Sequence, residues 1–249
     1  MSPVAVASIA FACILGGAIA GLWLGRALPD HHLESNSKDV VRLAMAMIAT
    51  MTALVLGLVT ASAKSSFDTE DNAVKHTAAV VLSLDRMLVD YGPQTKPIRE
   101  SIRGILTDRV ARIWPTDGAT VAVAPVGGGE RIVNDILALK PETDAQRWYQ
   151  SRALDLAGDI LQARWVVFSG STSSIPVLFL VVIICWLTIL FGSFGLFAPA
   201  NSTVIGALLL CTLSVAASIF LILEMDDPFS GVMRISSAPM QYALSHIGR

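Results

Sequence analysis

Charge is scarce in this chain. Only 15% of its residues are Asp, Glu, Lys or Arg and 53% are hydrophobic, where a soluble globular domain carries about 25% charged residues. Mean hydropathy is +0.62. These values exclude an ordinary soluble domain and point to an integral membrane protein. The 18 basic residues are balanced by 20 acidic ones and form no cluster, which argues against a nucleic-acid partner, because phosphate recognition needs a concentrated basic surface. Cysteine is sparse too: Cys13, Cys185 and Cys211 all lie in apolar segments, an odd count that reads as reduced core thiols and not as a disulfide frame or metal set. No paired carboxylates, Ser with His, Cys with His or cofactor fingerprint appears, so an enzyme is not expected. Nor is there the repeat symmetry or the midplane break of a secondary transporter.

What is present is four apolar runs. The second, between Arg42 and Lys64, holds 21 residues without a formal charge, enough at about 1.5 Å per residue to cross a hydrocarbon core of roughly 30 Å. A span that only met lipid could be plain Leu and Val. This one sets Ala49, Ala53, Gly57 and Ala61 on one i, i+4 stripe with Thr50 and Thr60 beside them, a face too small and polar for lipid. No Pro or Gly stop follows at Lys64-Ser65-Ser66, so the sequence predicts one long helix leading out of the bilayer. The first run, Val4 to Leu24, is longer than a typical signal-peptide core and lacks basic residues ahead of it; despite a possible cut at Ala18-Ile19-Ala20, it reads as an uncleaved span. Its Gly17, Gly21 and Gly25 recur every fourth residue, so that a neighbouring backbone can come close. The remaining spans are Ile175 to Leu190 and Thr203 to Leu223, joined by the uncharged turn FGSFGLFAPANS.

Between the first two spans, Pro29 breaks a helix, and Asn36 or Ser37 caps the next with Asp39 in its first turn. His31 and His32, with Asp30 and Glu34, form a solvated loop; adjacent histidines in extended chain point apart, which disfavours a metal site, and proton sensing is the better functional reading. The polar stretch from Lys64 to about Ser174 keeps a helical period. Val74, Ala78, Val81, Leu84, Leu88 and Tyr91 step by three or four up to the stop Gly92-Pro93. Ile98, Ile102, Ile105 and Ile113 continue it, with Arg109 the one polar break. Val126 to Gly129 reads as a surface loop that matches no phosphate-loop spacing. Helices around Arg131 to Leu139 and Thr143 to Phe168 follow, the latter buried through Leu154, Ala157, Leu161, Trp165 and Phe168, and then the linker Ser169 to Ser174. The expected organisation is residues 1–66 for the first two spans, 67–173 for a helical extramembrane domain, 174–227 for the last two spans, and 228–249 for a tail whose Met240 to Ile247 lies along the membrane surface or the middle domain. Lys64, Lys75, Arg164 and Arg234 near the spans on one side, against Arg26, Lys38 and Arg42 on the other, favour a cytoplasmic middle domain. Glu224, Asp226 and Asp227 stand where a helix C-terminus is already negative. Either they are hydrated or paired with Lys64 or Arg234, or they bind a cation such as Ca²⁺.

The stretches LPDHHLESNSKDVVRLAMAMIATMTALVLGLVTASAKSSFD, LDRMLVDYGP with the later IWP, and FGLFAPANSTV with LSVAASIFLILEMDDPFSGVMRISSAP resemble the bestrophin-like family of bacteria and plants, distantly similar to the bestrophin anion channels. The resemblance implies an all-α membrane protein with four transmembrane helices and a helical cytoplasmic domain between the second and third, in a bacterial inner membrane. It also implies a homopentamer around a pore lined by the second span. Pore-lining candidates are then Thr50, Ala53, Leu54, Gly57, Ala61 and Lys64, with Met47, Met51, Leu54 and Leu58 as candidates for bulky rings. A ring of Lys64 would favour anions and a pore-facing Glu224 cations. Asp227-Pro228-Phe229-Ser230-Gly231 only loosely matches the motif that precedes the calcium clasp of bestrophins, and no acidic run follows it. The partners implied are further copies of the chain, lipid and small ions. A non-conducting scaffold whose middle domain docks a partner is the alternative; it would use the small stripes to pack spans within one protomer.

Overall fold

Hydrocarbon offers the backbone no hydrogen-bonding partner, so a chain of this composition is driven to satisfy its N–H and C=O groups within helices. The computed structural model describes residues 2–27, 35–115, 128–170, 176–199 and 201–248, and no strand occurs among them. Eight α-helices follow in order: α1 Pro3–Ala27, α2 Ser35–Tyr91, α3 Lys96–Ile113, α4 Gly129–Leu137, α5 Asp144–Gly170, α6 Val177–Phe197, α7 Ser202–Asp226 and α8 Ala238–His246. Four of them, α1, α2, α6 and α7, are long and apolar enough to cross a membrane. Contacts divide the chain into two units, residues 1–65 with 173–226 and residues 66–172 with 227–249. The loop holding Asp30, His31 and His32 lies outside the described residues, as does most of the Gly-rich segment before Gly128. Helix α2 already begins at Ser35, ahead of the expected caps Asn36 and Ser37, and α5 runs on to Gly170, into the expected linker.

Helix α2 contains 57 residues without interruption, about 85 Å of helical rise at about 1.5 Å per residue. Nothing at Lys64-Ser65-Ser66 removes a backbone donor or adds conformational freedom, so the helix does not stop where its apolar run ends. It stops at Tyr91, where Gly92 takes φ 139° and Pro93 opens a single 3₁₀ turn.

In the first unit α1 packs along α6 and, less extensively, against α7. Its glycines make the close approach possible. A Cβ added to Gly17 would stand 2.7 Å from the Thr188 carbonyl oxygen, one on Gly25 2.6 Å from that of Leu196, and one on Gly21 would run into the Gly192 carbonyl. Gly195 of α6 meets the Ala18 carbonyl in the same way. Backbone is therefore in contact with backbone, and Ala10, Ile14, Ala18, Ile183, Leu187 and Ile219 close the core around it. The cysteines belong to the outside of this unit: Cys13, Cys185 and Cys211 are free and exposed, not core thiols as expected from their apolar surroundings. A helix bathed in lipid is apolar on its outer face too, so local hydropathy does not mark its core.

The second unit builds an aliphatic core from the last part of α2 and from α3, α4 and α5. The C-terminal segment is part of it. Ile235, Met240, Ala243 and Ile247 are all buried there, and Trp114 Nε1 donates to the Ile235 carbonyl at 2.8 Å. Helix ends that would leave carbonyls unpaired are closed by side chains. The Thr95 hydroxyl donates to the Leu88 carbonyl at 2.6 Å, Gln146 Nε2 to that of Tyr91 at 3.2 Å, and Gln150 Nε2 to those of Ile136 and Leu139 at 2.8 and 3.0 Å. Asp85 on α2 accepts a bidentate pair from Arg99 on α3, 2.7 Å to Nε and 3.0 Å to Nη2. These hydrogen bonds, donated to Asp85, hold Arg99 protonated beyond its ordinary range against the opposing effect of burial. Tyr91 differs from its neighbours, because its buried hydroxyl has no hydrogen-bond partner among the described residues. Burial first, and the Glu142 charge second, push its pKa up.

Gly21→Ala is expected to lower stability by about 1–3 kcal/mol through backbone overlap. Gly16→Ala, on the same helix with nothing within 4 Å of the added atom, is expected to be neutral or to gain up to about 1 kcal/mol from helix propensity. Thermal melting in nanodiscs compares the two, and equal melting temperatures would refute the close-approach account. Tyr91→Phe removes an unpaired buried hydroxyl and is expected to stabilise by about 1 kcal/mol. Because the folded-state pKa of Tyr91 is raised, the wild type loses stability as pH climbs from about 10, where the unfolded chain sheds this proton, up to the folded value. Urea unfolding at pH 8 and pH 11 should show the variant's advantage widening at the higher pH.

Candidate functional site

Helix α2 is the apolar helix its own protomer covers least. Of its most hydrophobic 18-residue window 6% is buried, against 28%, 22% and 28% for α1, α6 and α7. The helical repeat of 3.6 residues sorts its side chains into three faces. Ile48, Ala49, Val55, Leu56 and Val59 pack against the core of the first unit, and Thr52 and Ala63 on the same side are buried. A second face, exposed along its length, is small and polar: Thr50, Ala53, Gly57, Thr60, Ala61 and Lys64. No atom of the described residues lies within 4 Å of a Cβ added to Gly57. The third is bulky and also exposed, made by Met47, Met51, Leu54 and Leu58.

All six candidates named from the sequence, Thr50, Ala53, Leu54, Gly57, Ala61 and Lys64, thus lie on exposed surface of α2, with Leu54 at the border of the bulky face. Ala49 departs from the small stripe to which its spacing assigns it and turns into the packed side. The threonines have a further property that spacing does not reveal. Thr50 Oγ1 donates to the Met47 carbonyl at 2.8 Å and Thr60 Oγ1 to the Leu56 carbonyl at 2.7 Å. Each hydroxyl has one proton, so what these residues present to an ion is a methyl group and oxygen lone pairs, not a donor.

Of the three acids at the end of α7, Glu224 is buried, with 4% of its surface exposed. Asp226 is half-buried and Asp227 is exposed. Asp227 Oδ2 accepts a short hydrogen bond from Ser230 Oγ, and its carbonyl accepts from the Ser230 N–H at 3.3 Å. Asp-Pro-Phe-Ser is therefore a turn closed by its own first and last residues. Among the described residues, no group of three His, Cys, Asp or Glu side chains is placed to hold a metal ion.

Residues 12–240 match the family model of the bestrophin-like domain. No curated protein and no solved structure matches the chain.

If the packed and open faces of α2 are as described, enlarging a residue on each gives opposite results. Ala63→Leu, at a position with no exposed surface, is expected to cost about 1–3 kcal/mol by overpacking. Ala61→Leu is expected to change stability by less than about 0.5 kcal/mol, as exposed substitutions do. Thermal unfolding of both variants in nanodiscs distinguishes the faces, and the reverse order would reassign them.

Proposed function

The chain belongs to the bestrophin-like family, and on that premise we propose that it forms a homo-oligomeric, pentameric ion channel with α2 around a central aqueous path. In this reading α1, α2, α6 and α7 all span the bacterial inner membrane, and the helical segment between α2 and α6 is cytoplasmic. The observation that carries the proposal is the small, polar and exposed face of α2. A protomer alone in lipid would gain nothing from displaying Thr50, Ala53, Gly57 and Thr60 to hydrocarbon, whereas copies arranged about an axis turn that face toward water and ions. Family membership by itself argues for a fold plan, not for conduction.

Anions are the favoured cargo. The hydroxyl protons of Thr50 and Thr60 are committed to α2 carbonyls, so selectivity has to come from formal charge. Lys64 is exposed at the end of the apolar run, and a ring of such ammonium groups lowers the energy of an approaching anion and raises that of a cation. Glu224, the acid able to impose the opposite preference, is buried. The alternative of a non-conducting scaffold would use the small stripe of α2 for packing within the protomer; that stripe is exposed from Ala53 to Ala61.

Purified protein in a planar bilayer under a KCl gradient should reverse near the chloride limit. Lys64→Glu should move the reversal potential toward the potassium limit. Currents that keep their reversal potential in Lys64→Glu would remove Lys64 as the selectivity element, and silence from folded, oligomeric protein would favour the scaffold.

A further inference from the structure

The second unit contains a cavity of about 50 Å³ among α2, α3, α4 and α5, where close-packed interiors leave few voids larger than a water molecule. Its wall combines the buried side chains of Leu84, Ile102 and Ala157 with the half-buried ones of Ile105, Ile132 and Leu161. The half-buried set gives access from the surface. Backbone at the start of α4 completes the enclosure: a Cβ added to Gly129 would run into Leu161 Cδ2, and one on Gly128 would stand 2.9 Å from Ile105 Cδ1. No further side chain of the wall has room to grow there.

Size and polarity together restrict what can enter. An apolar cavity of roughly 150 Å³ takes the six carbons of benzene, and on that scale this one takes about two heavy atoms. Two polar side chains reach it, Thr77 and Arg109, and the other lining residues are aliphatic or glycine. Thr77 gives its hydroxyl proton to the Ala73 carbonyl at 2.7 Å, and Arg109 is already engaged in an interaction of its own. What remains for a guest is a single hydroxyl oxygen. Water needs about two to four polar partners to stay in such a place, and an ion would give up its hydration without compensation. A neutral apolar guest loses almost no hydration and gains dispersion contacts that the empty wall lacks. We propose that the cavity binds a dissolved apolar gas of about two heavy atoms, held between Leu84, Ile102, Ile105 and Ile132 by dispersion alone. The site lies within the second unit and uses none of the residues assigned to conduction.

The test is methyl NMR of the full-length protein in nanodiscs under rising pressure of xenon, an apolar probe. The methyls of Ile102, Ile105 and Ile132 are expected to shift along a curve that saturates, and ethane but not acetate should compete the shift away. The methyl of Ile9, exposed on α1, meets only xenon dissolved in lipid and should shift in simple proportion to pressure. Ala157→Leu, or Ile105→Phe should the first not fold, should abolish the saturating shift by filling the chamber. Shifts at Ile102, Ile105 and Ile132 that stay proportional to pressure, displacement by acetate, or a saturating shift that persists in a folded cavity-filled variant would overturn the proposal.

Discussion

Helices surrounded by hydrocarbon have no hydrophobic reason to leave lipid for one another, so their association depends on how closely their backbones can approach. In this chain that approach is made between α1 and α6, where Gly17, Gly21 and Gly25 lie against the carbonyls of Thr188, Gly192 and Leu196. The core of the first unit forms about this contact, with Ile219 of α7 added to it. Helix α2 takes only one side of its circumference into the same core. The other two remain outside, one small and polar and one bulky and apolar. Lipid can cover the bulky one; the small one is the face proposed to meet water among further copies of the chain.

The same helix runs from one unit into the other. Among the described residues α2, 57 residues without interruption, is the one element shared by both units, and its sequence contains no proline. Its far end is fixed by several independent devices: the Thr95 hydroxyl, Gln146 from α5, and the bidentate Asp85–Arg99 pair that ties it to α3. An ion pair taken largely out of water adds little net stability but is costly to break. It therefore specifies the α2–α3 arrangement more than it strengthens it. The buried C-terminal segment, held by Trp114 and Ile235, completes the same unit.

Much of the helical plan could be read from the residues, because it depends on signals local in sequence. Charge-free runs of sufficient length mark the apolar helices, the absence of a breaker after Lys64 marks the length of α2, and Gly92-Pro93 marks its end. Partners are another matter. The i, i+4 glycines of α1 announce a close neighbour without naming α6, since the matching Gly192 and Gly195 lie in a turn-like segment, FGSFG, whose helical continuation is not a local property. The period from Met240 to Ile247 shows that one side is apolar and cannot say whether lipid or protein will cover it; the answer is a protein core. Apolar flanks also misplace the cysteines, which are exposed. Ala49 belongs to the small stripe by spacing and to the packed face by geometry, because the edge of a face depends on how the helix is rotated against its neighbours. The burial of Glu224 and the cavity beside Arg109 are tertiary results with no signal beyond an out-of-place charge.

The central claim is that the small face of α2 borders water inside an assembly of identical chains. Its most direct test is the current through a Gly57→Cys channel, with Cys13, Cys185 and Cys211 replaced by alanine, before and after a charged thiol reagent that cannot enter lipid. The account predicts rapid modification and a marked loss of current, absent in the cysteine-free parent. A thiol at position 57 that stays unmodified in a conducting channel, or one that is modified with no effect on current, would contradict it.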